Sequence, residues 1–193
     1  MPNLSKSMAY DLAKEKLIKS GCSAENTLGI IEGILDAEFS GIKSHGFHYL
    51  PIYCNHLKIG KIKGKSQPIF EKISNSAIKV NVDNGFAHSG INKGLPTLIE
   101  MCSKEGIACM SLYNSYNCGI LGFHTKRIAE KGFVGLGFTN APASIAPPGG
   151  VRAVVGTNPF SIAVPYQGSA HIIIDQSASV VAKSEISVRA KSG

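Results

Sequence analysis

The chain has 193 residues, 44% of them hydrophobic and 17% charged, which suffices for one good core or two small ones and excludes a disordered chain. Its formal net charge of +7 comes from basic residues scattered along the sequence (Lys14, Lys58, Lys72, Lys93, Lys126 and Lys183 among them), so nucleic-acid binding through one basic arm is not expected. No run of about 18 apolar residues occurs, and the opening MPNLSKSMAYDLAKEKL spaces charges through itself, so a cytoplasmic chain without a membrane span is expected.

Residues 4 to 19 carry Leu4, Met8, Leu12, Leu17 and Ile18 near a helical period, and Gly21 is a plausible stop. Ser23 can cap a second helix with Leu28, Ile31, Ile34, Leu35 and Phe39 as its apolar stripe, ending near Gly41. His45 thus falls just past a helix end, between the small residues Ser44 and Gly46. After Pro51, Ile52, Tyr53, His56 and Leu57 form one face of a short helix that stops at Gly60, with His56 read as packed.

The following HLKIGKIKGKS imitates a phosphate loop, but three residues separate Gly60 from Gly64 where the P-loop needs four, so a basic surface loop is expected at 58 to 65. It also marks a boundary between a helical region, residues 1–66, and an α/β region, residues 67–193. There PIFEKI and AIKVNV read as strands, and Asp83, Asn84 and Gly85 suit the positive φ of a tight turn. LPTLIEMCSKEGI follows as a helix with Pro96 in its first turn, ACMSLY as a strand, ILGFHTKRIAEKG as a helix and FVGLGFTN as a buried strand. PFSIAVPY and HIIIDQS complete the pattern as strands around the turn signal Gln167, Gly168 and Ser169.

The alternation specifies an α/β fold. A G-x-G-x-x-G fingerprint is absent: Gly135 and Gly137 lie inside a strand and lack the third glycine. APPGGVRAVVGTNP is the other glycine-rich segment, in which Gly149, Gly150 and Gly156 could bare backbone N–H groups to a phosphate, although local features alone favour a structural connection. His45 could act as general acid or base, or could be a capping histidine. The histidines have no metal-ligand spacing, the five cysteines include no C-x-x-C pair, and no metal is expected. Asp175 ends an apolar strand as a turn former or a ribose ligand.

Taken in order, SHGFHYLPIY, EGIACMSLYNSYNCGILGFHTKRIAEKG, GLGFTNAPASIAPPGGVRAVVGTNP and HIIIDQSAS resemble successive motifs of the malate/L-lactate dehydrogenase family, which includes ureidoglycolate, sulfolactate and diketogulonate oxidoreductases. The resemblance runs from about residue 5 to the last residue. It implies a non-Rossmann mixed β-sheet with flanking helices and an N-terminal helical region. It further implies NAD or NADP bound at a site shared within a homodimer, and hydride exchange with a small 2-oxo or 2-hydroxy acid. On that reading His45 donates the proton, Ser44 orients it, and Asn117 occupies a further catalytic position. Pro147, Gly149, Gly150, Gly156, Thr157, Asn158, Asp175 and Ser177 contact the cofactor.

Three positions depart from the family pattern: Tyr49 where S-H-G-x-x-R has arginine, Asn117 where N-S-N-H-F-G has a second histidine, and Pro148 where P-W-G-G has an aromatic. Family members also continue beyond the point matching Gly193, which implies a truncated sheet with exposed edges and apolar surface. The alternative function is therefore a catalytically impaired relic acting as a binding or partner subunit.

Overall fold

The computed structural model describes residues 4–179; the last part of the family-like stretch, residues 180–193, lies outside them. The chain forms two compact units, Met1–Gly119 and Ile120–Gly193. The boundary expected near residue 66 falls inside the first of them.

The first unit opens with helices α1 (Lys6–Lys19) and α2 (Ala24–Phe39), a 3-10 turn at Lys43–His45 and α3 (Tyr49–Lys58). A three-stranded mixed sheet follows: β1 (Ile69–Ser74) and β2 (Ala77–Asn81) are antiparallel, and α4 (Ala87–Glu105) crosses over to β3 (Cys109–Tyr113), parallel to β2. The fold class expected from the sequence is therefore present, with its helical N-terminal region and no dinucleotide fingerprint.

Ser23 caps α2 by accepting a hydrogen bond from Asn26 N at 3.3 Å. Ser5 does the same for α1 from Met8 N at 3.2 Å. The apolar stripe expected for α1 is corrected by the structure. Leu4, Met8, Leu12 and Ile18 are exposed, and the buried face is Ala9, Ala13 and Leu17. Small residues four apart let α1 approach α2 closely, so packing geometry chooses the face over side-chain size. In α2, Ile31, Ile34 and Leu35 are buried as expected, whereas Leu28 and Phe39 are exposed.

Helix α3 begins at Tyr49, before Pro51, which occupies its first turn where no helical donor is needed. Helix α4 starts eight residues earlier than the sequence suggested, so Pro96 lies in its interior and not in its first turn. The low helix propensity of Gly90 and Gly94 hides this start. Both glycines are packing devices: a Cβ on Gly90 would meet Val82 Cγ2 at 2.6 Å, and one on Gly94 would collide with Met110. Contact with the sheet overrides propensity here.

Asp83 and Asn84 both take φ 56°, as their turn chemistry required. The basic loop is a clasp as well as a surface. Ser23 N and Asn26 Nδ2 donate to Gly64 O at 3.0 and 3.1 Å, and Lys63 pairs with Asp83 at 2.7 Å.

In the second unit, α5 (Leu121–Ala129) packs on an antiparallel sheet of β4 (Gly135–Phe138), β5 (Phe160–Tyr166) and β6 (Ser169–Gln176), ordered β4-β5-β6. Gly135 and Gly137 serve this packing, because side chains there would press on Thr125 and Leu121. Thr125 and Ser161 share a buried hydroxyl contact at 2.7 Å. Gln167 and Gly168, at φ 49° and 77°, close the β5–β6 hairpin where the sequence marked a turn. The strand expected to be buried throughout is corrected: Leu136 and Phe138 are exposed, at 56% and 73%. With Ile172 and Ile174 they lie on strands whose register alternates one apolar face toward α5 and another away from it.

Two outcomes are expected. Ser23→Ala removes the α2 cap and lowers stability by about 1 kcal/mol, measured by urea unfolding. Burial, reinforced by the Cys54 thiol, pushes the Cys22 thiol up to about 12 from an ordinary value near 9.0. The folded state holds the proton that the unfolded chain releases, so this contribution is intact below about pH 9 and is lost as pH rises toward 12. Cys22→Ala is expected to flatten the stability decline across that window.

Candidate active site

The segment IKSHGFHYLP is shaped by the end of α2. Gly41 takes φ 77° and Ile42 N donates to Ala37 O at 2.9 Å, which turns the chain into the 3-10 turn carrying Ser44 and His45. The Glu38 carboxylate then accepts a hydrogen bond from Phe47 N at 3.0 Å. A side chain on Gly46 would collide with that carboxylate, which is why the residue after His45 is glycine.

Ser44 is buried, and its Oγ lies 3.2 Å from His45 Nδ1. The His45 ring stacks on Tyr49, centroids 5.4 Å apart and planes 20° apart, and Tyr49 meets Tyr53 at 5.2 Å. His48 touches Tyr49 edge-on. Tyr49, at a position where the resemblance would place an arginine, is thus an aromatic support for the imidazole.

Tyr53 is only 2% exposed, and its hydroxyl donates to Asn117 Oδ1 at 2.7 Å. Gly119 N donates to the same oxygen at 2.7 Å, an Asx-type turn within Asn117, Cys118 and Gly119. Burial, aided by Tyr49, Tyr116 and Cys118, holds the Tyr53 phenol well above the usual tyrosine range, so it remains a donor. The loop carrying Asn117 is anchored by Tyr116 N donating to Gly85 O at 2.8 Å and by the ring contact of Phe86 with Tyr116.

Tyr116 OH lies 2.6 Å from His56 Nδ1. Desolvation, with Lys61 adding repulsion, holds the His56 pKa below its usual value. The three residues assigned from the sequence to catalysis, Ser44, His45 and Asn117, therefore join one aromatic cluster within the first unit. Tyr53 and Tyr116 were missed. Their signal is a tyrosine on a buried helix face and a tyrosine in a turn, whose hydroxyls must find partners.

The cofactor candidates lie in the second unit. Pro147 O accepts from Gly150 N at 2.9 Å and Gly149 takes φ 75°, giving a type II turn with Pro148 at its second position. The proline suits that position by its fixed φ, and the turn is exposed. Residues 144 and 145 pair with 154 and 155, so the segment projects as a narrow hairpin.

Gly156 is buried, where a Cβ would collide with Ala141 O, and Asn158 Oδ1 accepts from Ala141 N at 3.0 Å. Thr157 O accepts from Ala178 N at 2.8 Å, bringing the G-T-N-P segment beside the end of β6. Asp175 Oδ2 accepts from Gly122 N at 2.7 Å at the start of α5, where a negative charge suits the helix dipole. Ser177 Oγ lies 3.0 Å from Ser179 Oγ. Among the described residues no acceptor meets the N–H of Gly149, Gly156 or Thr157, and such donors are the chemistry that a dinucleotide phosphate requires.

The sequence model of the malate/L-lactate dehydrogenase family matches residues 4–193. The NADP(+)-dependent (2R)-3-sulfolactate dehydrogenase of Chromohalobacter salexigens is 34% identical over 160 residues, 83% of this chain and 48% of its own. Delta(1)-pyrroline-2-carboxylate reductase 1 of Burkholderia ambifaria is 31% identical over 190 residues, 98% of this chain and 56% of its own. The crystal structure of delta1-piperideine-2-carboxylate reductase from Pseudomonas syringae superposes with a TM-score of 0.93 at 26% identity, covering 100% of this chain and 58% of that one. Malate dehydrogenase from Entamoeba histolytica gives 0.92 at 25% identity, covering 100% and 54%. The chain spans about half the length of the curated relatives it matches. With its motifs in family order, its fold superposed throughout and its sequence matched from residue 4 onward, the chain belongs to the malate/L-lactate dehydrogenase family.

Proposed function

We propose that the chain serves an NAD(P)H-dependent oxidoreductase that reduces a small 2-oxo acid, or the related cyclic imine, to its 2-hydroxy or amino acid counterpart. The observation that carries this reading is the Ser44–His45–Tyr49 arrangement beside the Asn117 loop, set in a chain of this family. Residues 1–66 supply the acid/base histidine, and residues 67–193 supply the segments that contact the cofactor.

The nicotinamide ring, when bound, supplies the hydride. His45 supplies the proton to the substrate oxygen or nitrogen from Nε2, with Ser44 Oγ holding Nδ1 and Tyr49 holding the ring plane. Gly149, Gly156 and Thr157 would hold the dinucleotide phosphates through backbone N–H groups, with Pro147, Gly150 and Asn158 shaping the segments that present them. Asp175 and Ser177 would meet the ribose at the strand end. The working form in this reading is a cytoplasmic homodimer, its pairing supported by the exposed apolar residues of the second sheet.

The same exposed residues, with Asn117 in place of a second histidine, support a second reading, a partner subunit without turnover of its own. Titration with NADH and NADPH, followed by cofactor fluorescence, and assay of a panel of 2-oxo acids separate the two. Saturable binding with turnover is expected, and His45→Ala should leave binding intact while lowering turnover by about 100-fold or more. Binding without turnover favours the partner subunit, and no binding at millimolar cofactor ends the oxidoreductase reading for this chain.

A further inference from the structure

Asn117 accepts two hydrogen bonds on one atom. Tyr53 OH and Gly119 N each reach Oδ1 at 2.7 Å, and Gly119 N can only donate, so the identity of the amide oxygen is settled by its partners. Both lone pairs of that oxygen are used. The amide nitrogen keeps two N–H groups, and among the described residues no acceptor meets them. Asn117 is half-buried, so this donor pair is held at a partly sheltered surface.

We propose that Tyr53 is the positioning residue that locks the Asn117 amide with its nitrogen outward, making Asn117 a fixed donor to an acceptor-only oxygen of the substrate, a carboxylate or the oxygen that becomes alkoxide. The assignment of that oxygen to a 2-oxo acid rests on the function proposed above. Tyr53 suits the task because its ring is wedged among Tyr49, Phe86 and Tyr116, at centroid distances of 5.2, 5.0 and 6.1 Å. Its hydroxyl donates to the same oxygen that Gly119 N, a donor only, already holds inward, so the two contacts agree on one orientation of the amide. Tyr49 links the same cluster to His45, so one rigid assembly carries the donor and the acid. A preorganised donor of this kind costs no reorganisation when charge develops on the oxygen, and a neutral amide supplies it at this position without transferring a proton.

Oxalate, a planar dianion shaped like a 2-oxo acid, is the probe. In the wild-type chain, oxalate is expected to shift the Asn117 side-chain NH2 pair in a nitrogen-15 correlation spectrum, saturably and with NADH present. Asn117→Asp keeps an oxygen for Tyr53 and Gly119 but turns the outward donor into a negative acceptor. It should weaken oxalate by about 100-fold, with NADH affinity and thermal midpoint preserved. Tyr53→Phe keeps the ring and frees the amide, and should weaken oxalate by roughly 10-fold and broaden the NH2 pair. If Asn117→Asp fails to fold, the wild-type spectrum and Tyr53→Phe decide. An NH2 pair that ignores oxalate, or oxalate affinity untouched in Tyr53→Phe, overturns the proposal. Loss of NADH binding while oxalate still shifts the NH2 pair counts against the hydride-transfer reading alone.

Discussion

The hydrogen bond from the Tyr53 phenol to the Asn117 amide spans two parts of the first unit that are 64 residues apart in sequence. A tyrosine this deep in an apolar core must satisfy its hydroxyl, because an unpaired buried hydroxyl costs about 1–3 kcal/mol. The requirement fixes where the loop from Asn114 to Gly119 can lie, and Tyr116 repeats it by placing its own hydroxyl on His56. The Phe86, Tyr49 and Tyr116 rings then pack around Tyr53 in edge or tilted geometry, which suits the charge distribution of aromatic faces and edges. His45 is held at the margin of this cluster by its stack on Tyr49.

The second unit uses a different constraint. Its helix and sheet approach closely at glycines, and the helix begins against a carboxylate contributed by the last strand. Asp175 closes that arrangement on Gly122, so the strand end is pinned before any ligand arrives. Beside it, the bond between Ala178 N and Thr157 O holds the G-T-N-P segment, while the Pro147–Gly150 turn projects into exposure. A rigid strand end with an exposed, proline-stiffened turn is a frame on which an extended ligand can be gripped at two points.

Much of this was legible in the residues. The N-cap at Ser23, the positive-φ turn at Asp83 and Asn84, and the hairpin at Gln167 and Gly168 all follow from local chemistry that tertiary contacts did not override. What was not legible depended on partners remote in sequence. The start of α4 was hidden because Gly90 and Gly94 read as helix breakers until Val82 and Met110 lie against them. The buried face of α1 was misjudged because alanines bury well only when a second helix comes close. The exposed face of β4 was misjudged because an apolar run says nothing of which neighbour covers it. At the candidate site, Ser44, His45 and Asn117 stand out in the sequence through family motifs, whereas Tyr53 reads as an ordinary core aromatic, since what ties it to Asn117 is the hydroxyl at the far end of its ring.

The claim on which the chemistry depends is that His45 and Asn117 serve one bound acid. A crystal structure of the chain with NADH and oxalate tests it most directly. One oxalate is expected within hydrogen-bond reach of both His45 Nε2 and Asn117 Nδ2, with the nicotinamide C4 against its carbons. Oxalate bound away from either residue, or an Asn117 amide with its oxygen turned toward the ligand, would contradict it.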